Sequence, residues 1–379
     1  MLTNALFYRD PYCAVFTAVV TGCQEVKGGF AVTLSDTAFY PEGGGQACDL
    51  GTLNGVAVMD VREKDDQVIH LCQKPLAVGE TVEGRILWDR RFDLMQQHTG
   101  EHMVSGIIHS RYGYHNVGFH MGSELVTIDF DGMIPAEALP EIEEEVNRRI
   151  WQNLPVTCSF PSEEELAYIP YRTKKLLPWP VRLVEIPGTD TCACCGTHVA
   201  HTAEVGLVKL FSCVKFHQGV RIEMACGRRA LDYLSRVHQQ NKLVSQAFSA
   251  KPLETGEAAE KINQQLSDLK FRLAGLQRQV FSAIAEGYAG KGLAFHHDPQ
   301  LEPGQLRLLC EILVQKCPLA VAMGNGGSIC LAGEPQAVNT LGAALRKTFG
   351  ARGGGKPGFF QGNIPAEPEA VKAFLTAQM

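Results

Sequence analysis

Two stretches of this chain hold the residue types from which metal sites are made. "HTGEH", residues 98 to 102, offers His98 and His102 four positions apart, and "CACCGTH", residues 192 to 198, offers Cys194 and His198 at the same interval. On a helix, residues four apart project from one face, so the two histidines can present imidazole nitrogens to one ion. The second pair reaches that ion if "CCGTH" is a turn, with Gly196 letting the backbone fold tightly. Imidazole and thiolate together favour zinc, one ion per chain. Two other readings use the same residues. "HTGEH" fits the inverted HxxEH motif of zinc peptidases, in which Glu101 would activate water. Cys192 and Cys195 form a CxxC that would bind metal or cycle as a redox pair, given an acidified thiol and a thioredoxin-like setting. A peptidase site expects a downstream carboxylate, whereas the downstream residues here are a cysteine and a histidine.

The elements that must position these residues point to an α+β chain. "CAVFTAVVTG", "GGFAVTLSD", "TLNGVAVMDV" and "DQVIHLC" are rich in β-branched residues and bounded by Gly, Asn or Asp, with Asn54-Gly55 as a hairpin signal. They predict a small N-terminal β-barrel or sandwich over residues 1–90, the barrel being favoured. From Asp93 to about Arg111 the pattern turns helical, with Leu94, Met95, His98, His102, Ser105 and Ile108 on one side and Gly113 at the end. With a second helix in "PAEALPEIEEEVNRRIWQN" and strands in "LPVTCSF", "VRLVEIP" and "EVGLVKLFSCVKF", residues 91–229 read as an α/β domain holding the metal. In 230–287, Ile262, Leu266, Leu269, Leu273, Leu276, Val280 and Ile284 keep coiled-coil spacing. Leu231, Leu234, Val237, Val244 and Phe248 are their expected partners in a helical hairpin whose seam serves as core packing. Residues 288–379 form a glycine-rich α/β domain, with a hairpin in "PLAVAMGNGGSICLAG" and a loop in "GARGGGKPGFFQGN".

Composition narrows the class. The 379 residues are 45% hydrophobic and 20% charged, as in an ordinary globular protein. No apolar run reaches membrane-helix length and the first residues lack a secretory signal, so the cytoplasm is the expected location. There the thirteen cysteines should be reduced, most of them small buried hydrophobes. A formal net charge of -6 argues against indiscriminate nucleic-acid binding. Local basic patches exist nonetheless: Arg172, Lys174 and Lys175; Arg221, Arg228 and Arg229; and Arg346, Lys347, Arg352 and Lys356.

One further motif ties these features together. "TAFYPEGGGQACDLG", residues 37 to 51, followed by "HTGEH" and "CCGTHVAHTAEVGLVKL", resembles the editing domain of alanyl-tRNA synthetase and the free-standing alanyl-tRNA editing proteins of the long AlaX type. "GVRIEMACGRRAL" is similar to the family's strand after the metal motif, and "RGGGKPGFFQG" to the glycine-rich loop of the synthetase's C-terminal domain. The resemblance implies a hydrolase that deacylates tRNA(Ala) mischarged with serine or glycine. It implies His98, His102, Cys194 and His198 as zinc ligands, with Thr37 and Gln46 beside the reacting aminoacyl end. "CCGTH" departs from the family's usual "CGGTH", which leaves Cys194 and Cys195 competing for the metal. "HTGEH" departs from "HTATH", which makes Glu101 a bystander.

No segment ahead of the barrel could hold an aminoacylation domain, so editing in trans without aminoacylation is expected. Four protein ligands leave the ion no vacant position, so zinc is expected to organise the tRNA end while water is activated nearby. Because alanyl-tRNA must survive, a pocket group that hydrogen-bonds the serine hydroxyl is required, and Thr37 is its candidate. The zinc peptidase, and a noncatalytic tRNA-binding protein with a structural zinc, stand as alternatives. Gly43, Gly44 and Gly45 are expected on the substrate side of the pocket. The helical hairpin or the C-terminal domain is the expected surface for a homodimer, and no membrane partner is expected. Arg352 and Lys356 are expected to meet tRNA phosphates. Replacing both with alanine should weaken tRNA binding and reduce the slope of log affinity against log salt by one to two, as read from filter binding across a salt series.

Overall fold

The computed structural model describes residues 3–173 and 179–379 and divides the chain into two compact units, Met1–Lys242 and Leu243–Met379. Lys174 and Lys175 of the first basic patch lie outside the described residues. No helix among the described residues is long and apolar enough to cross a membrane.

The first unit opens with a closed six-stranded barrel. Its strands are β1 (Val15–Val26), β2 (Gly29–Leu34), β3 (Gly51–Leu53), β4 (Val56–Lys64), β5 (Gln67–Cys72) and β6 (Thr81–Ile86), in spatial order β1-β2-β5-β4-β3-β6. Alternation sends Phe16, Ala18 and Val20 of β1 inward and Val15, Thr17 and Val19 outward, the period-2 pattern of a sheet with one buried face. Closure pairs every edge. Asn54 and Gly55 both adopt positive φ, 45° and 79°, in the two-residue turn their sequence demands. β6 was not apparent in the sequence, because "TVEGRI" spends its alternate positions on threonine, glutamate and arginine, which face out.

The barrel runs directly into the helix Trp88–Tyr112, longer than expected by a turn at its start and closed by Gly113 in the left-handed conformation. The predicted apolar stripe understates its burial. Every residue from Leu94 to Ile108 is buried, on all sides of the helix. One flank meets the antiparallel sheet formed in order by Val208–Phe216, Gly219–Cys226, Val126–Phe130 and Asn116–Met121. Another meets a three-stranded sheet of Thr157–Ser159, Leu183–Ile186 and Asp190–Ala193. The helix's buried polar groups are paired, as burial requires: Gln97 donates to the Cys226 carbonyl at 3.0 Å and accepts from its amide at 2.8 Å, and Gln96 donates to the Glu204 carbonyl at 2.8 Å.

A fully buried ion pair joins barrel and helix. Arg91, in the first turn, donates through Nε to both carboxylate oxygens of Asp49 at 2.9 and 3.0 Å. Its remaining nitrogens donate to the carbonyls of Pro11 and Ala38 at 2.7 and 2.6 Å. Asp49 also accepts from the Tyr40 amide at 2.6 Å. The barrel and the helical region therefore form one unit rather than separable modules.

In the second unit, Leu293–His297, Leu319–Met323, Ser328–Gly333, Phe359–Asn363 and Arg352–Gly354 form one sheet in that order, parallel only in its first pair. The expected hairpin across "GNGG" is present. "GARGGGKPGFFQGN", expected as a loop, instead contributes the antiparallel strands Arg352–Gly354 and Phe359–Asn363. The helix Thr255–Glu286 carries the predicted coiled-coil seam, yet Ile262, Leu266, Leu269, Leu273, Leu276 and Val280 are exposed, as are Leu231, Leu234, Val237 and Val244 of the helix Gly227–Phe248. The seam does not act as core packing here.

Removing the carboxylate by Asp49→Ala would strand the buried Arg91 charge. Urea denaturation should show a loss of about 3–5 kcal/mol relative to the unchanged chain.

Candidate metal centre

The four sequence-predicted ligands converge. His98 and His102 project from one face of the helix, while Cys194 and His198 come from the turn that follows the strand Asp190–Ala193. Their ligand atoms all lie within 4.8 Å of one another. Sγ of Cys194 is 3.4 Å from Nε2 of His98 and 3.5 Å from Nε2 of His198.

Each imidazole has its other nitrogen engaged. His98 donates from Nδ1 to Oε1 of Gln46 at 2.9 Å; the same oxygen accepts from the Thr197 amide at 3.1 Å, and Nε2 of Gln46 donates to the Thr197 hydroxyl at 2.8 Å. His102 donates from Nδ1 to Asp190 at 2.9 Å, and Arg172 braces that carboxylate with bonds of 2.7 and 2.8 Å. Nδ1 of His198 lies 3.1 Å from the Thr99 hydroxyl, which also accepts from the Val199 amide at 3.2 Å. Such partners fix ring orientation and leave Nε2 as the nitrogen available to an ion.

The electrostatics suit a thiolate. Burial raises the Cys194 thiol, but neighbouring His98 and His102, with hydrogen bonds from His102 and His198, outweigh it and hold the pKa well below the ordinary value. Burial also opposes charge on His102, yet Cys194 and the bond to Asp190 raise its pKa well above the usual histidine range. Burial pushes His198 down to about 3, which keeps it neutral and able to ligate. Three imidazoles and one activated thiol form a donor set of the kind zinc takes.

Local backbone chemistry explains why Cys194 is the cysteine that points inward. A Cβ on Gly196 would lie 2.1 Å from the His98 ring, so only glycine lets the turn pass beneath the helix. The buried Arg182 donates to the Cys194 and Gly196 carbonyls at 3.0 and 2.8 Å, and the Gly196 amide donates to Sγ of Cys194 at 3.3 Å. Cys195 lies outside the cluster of ligand atoms; its carbonyl accepts from the Tyr8 hydroxyl at 3.0 Å. The redox reading of Cys192 and Cys195 loses its premise, since burial raises both thiols, Cys192 to about 11. Cys192 instead lies near His102 and Asp190 in a second group of potential ligands that shares His102 with the first.

His98, His102 and Cys194 of the cluster line a cleft of about 470 Å³ whose walls also include Gly44, Gly45, Glu101, Asn116 and Phe119. "EGGGQ" is a tight turn in which Gly43 and Gln46 pair and Gly44 and Gly45 take φ of 59° and 84°. Gly44 and Gly45 face the cleft as expected, whereas Gly43 belongs to the turn's base. Gln46 is buried behind His98 and positions it. Thr37 is not brought to the cleft. Its hydroxyl donates to Nε2 of His70 at 2.9 Å and accepts from the Phe39 amide at 3.1 Å, beside a separate concavity near Ser35 and Asp36. His70 is in turn held neutral, burial lowering its pKa to about 4, and donates from Nδ1 to the Val32 carbonyl at 3.0 Å.

Among the basic patches, Arg172 is committed to Asp190, Arg221 to Asp129 and Arg229 to Asp93. Arg352 and Lys356 are exposed on the hairpin of the second unit. Sequence reasoning missed Asp190, Asn116, the bracing of Asp190 by Arg172, and the bracing role of Thr99 and Thr197. The two threonines lie inside the metal motifs and were legible there; the other three carried no spacing signal.

Residues 181–223 match the family described as the threonyl and alanyl tRNA synthetase second additional domain. The chain is 30% identical to the alanyl-tRNA editing protein Aarsd1 of Rattus norvegicus, with 94% of this chain and 93% of that protein covered. It is 26% identical to the alanyl-tRNA editing protein AlaX-L of Pyrococcus horikoshii, covering 98% and 96% respectively. It is 31% identical to the alanine–tRNA ligase of Ignicoccus hospitalis, covering 93% of this chain but 40% of that enzyme.

Cys194→Ser should abolish stoichiometric zinc retention through dialysis, while Cys195→Ser should retain it, as measured by elemental analysis of the purified proteins. Gln46→Leu should weaken zinc affinity about 10- to 100-fold by releasing the His98 ring.

Proposed function

The chain belongs to the alanyl-tRNA editing protein family, and from that premise we propose that it deacylates tRNA(Ala) mischarged with serine or glycine, acting in trans. The observation that carries this reading is the convergence of His98, His102, Cys194 and His198, three of which (His98, His102 and Cys194) line one cleft with the Gly44-Gly45 turn. The match over nearly the whole length of a free-standing editing protein supports action in trans.

The reaction is attack of water on the ester carbonyl between amino acid and terminal ribose. His98, His102, Cys194 and His198 would hold zinc; bound there, it would supply a fixed positive charge for orienting or polarising the ester end. Gln46, Asp190 and Thr99 keep the imidazoles in register. Gly44 and Gly45, lacking side chains, let backbone approach the terminal ribose. Arg352 and Lys356 are assigned to the tRNA backbone, since both are exposed cations on the hairpin of the second unit.

The peptidase reading is disfavoured, since Cys194 and His198 occupy the positions a peptidase leaves to a carboxylate and water.

Incubating the protein with seryl-, glycyl- and alanyl-tRNA(Ala), with and without a chelator, tests the proposal. Seryl- or glycyl-tRNA should lose its amino acid at least 100-fold faster than alanyl-tRNA, and chelation should remove that activity. Absence of turnover on all three would favour a noncatalytic tRNA-binding protein.

A further inference from the structure

Glu101 is more than a neighbour of two ligands. Glu101 lies three residues after His98 and four before Ser105, and His102 four after His98, so the four side chains fall on one broad side of the helix. Glu101 is 4% exposed and lines the same cleft as the ligands. One of its oxygens, Oε1, accepts from the Ser105 hydroxyl at 2.6 Å and from the Asn116 side-chain amide. Neither neighbour carries charge, and among the described residues no ion pair to Glu101 forms; Arg172 lines the same cleft and acts on Glu101 through space, while its hydrogen bonds go to Asp190. A buried carboxylate whose direct hydrogen bonds come only from neutral groups is further stabilised by a cationic donor.

Asn116 supplies the second observation. It is also 4% exposed and lines the cleft. Nδ2 donates to Glu101 and, at 3.1 Å, to Ser105, which sets the orientation of the amide. Oδ1 is then left buried with no hydrogen-bond partner. An unsatisfied buried acceptor costs about 1–3 kcal/mol and marks a place where a donor belongs.

Resting on the function proposed above, we propose that Glu101 and Asn116 bind the α-ammonium group of the esterified amino acid. A carboxylate and an amide oxygen in one wall match a cation that carries several N–H donors. In an aminoacyl ester that ammonium stands one carbon from the scissile carbonyl, so anchoring it holds the carbonyl beside the histidine and cysteine cluster. Serine, glycine and alanine share the group, so this contact does not choose among them. It separates aminoacyl esters from esters that lack a free amine.

The test compares seryl-tRNA(Ala) with the same tRNA carrying the deaminated ester, 2,3-dihydroxypropanoyl, each rate divided by its spontaneous hydrolysis. The unchanged protein should favour the amine in kcat/KM by about 10- to 100-fold, chiefly through KM. Glu101→Gln and Asn116→Ala should each bring that ratio toward one while hydrolysis of the deaminated ester persists. A ratio near one in the unchanged protein, or one that survives both substitutions, would overturn the assignment. Where Glu101→Gln loses zinc or folds poorly, Asn116→Ala decides. Calorimetric binding of 3′-serylamido adenosine against its deaminated amide reads the same preference without turnover. Preference in binding with no hydrolysis of any ester would refute the editing reading and leave the anchor standing; no preference would refute the anchor.

Discussion

One constraint organises the candidate metal centre: each of three imidazoles has one nitrogen held by the protein, which leaves the other available to an ion. Gln46 holds His98, Asp190 holds His102 and Thr99 meets His198. These braces come from three different parts of the chain: the loop between β2 and β3, the strand Asp190–Ala193, and the helix itself. None can be moved without turning a ring. Fixing the ring nitrogens in this way sets tautomer and direction before any ion arrives.

That constraint accounts for the burial of the helix. A helix that supplies ligands from one face and receives their braces from others cannot leave that stretch to solvent, and Leu94–Ile108 is enclosed between two sheets and the barrel-derived loop. Enclosure in turn obliges Gln96, Gln97, Thr99, Glu101 and Ser105 to find partners, and they do. The buried Arg91–Asp49 pair belongs to the same logic: it secures the start of the helix to the loop that delivers Gln46. Barrel and metal site are mechanically one object, although the barrel contributes no ligand.

Much of the architecture was legible from local pattern. The first four barrel strand regions, the Asn54-Gly55 turn, the helix carrying His98 and His102 with its glycine stop, and the four candidate ligands follow from residue types at fixed spacing. What was not legible shares a physical cause. β6 has polar outward positions that mute its apolar period. The exposed seam of Thr255–Glu286 keeps coiled-coil spacing without burial, because spacing reports which residues share a face and not whether a partner covers it. Thr37 stands in a recognisable motif, yet its hydroxyl is consumed by His70, a residue 33 positions away whose approach no local pattern encodes.

The sequence by itself determined the donor set. Histidines four apart on a helix and a cysteine and histidine bracketing Gly196 restrict the chemistry to a nitrogen and sulfur site, because ligand type and helical period are local properties. Tertiary structure decided which cysteine points inward, which oxygen turns each ring, and that Glu101 meets Asn116 in the cleft wall. Those outcomes depend on pairings between residues 11 to 151 positions apart, fixed only when the barrel, the helix and the "CCGTH" turn close on one another.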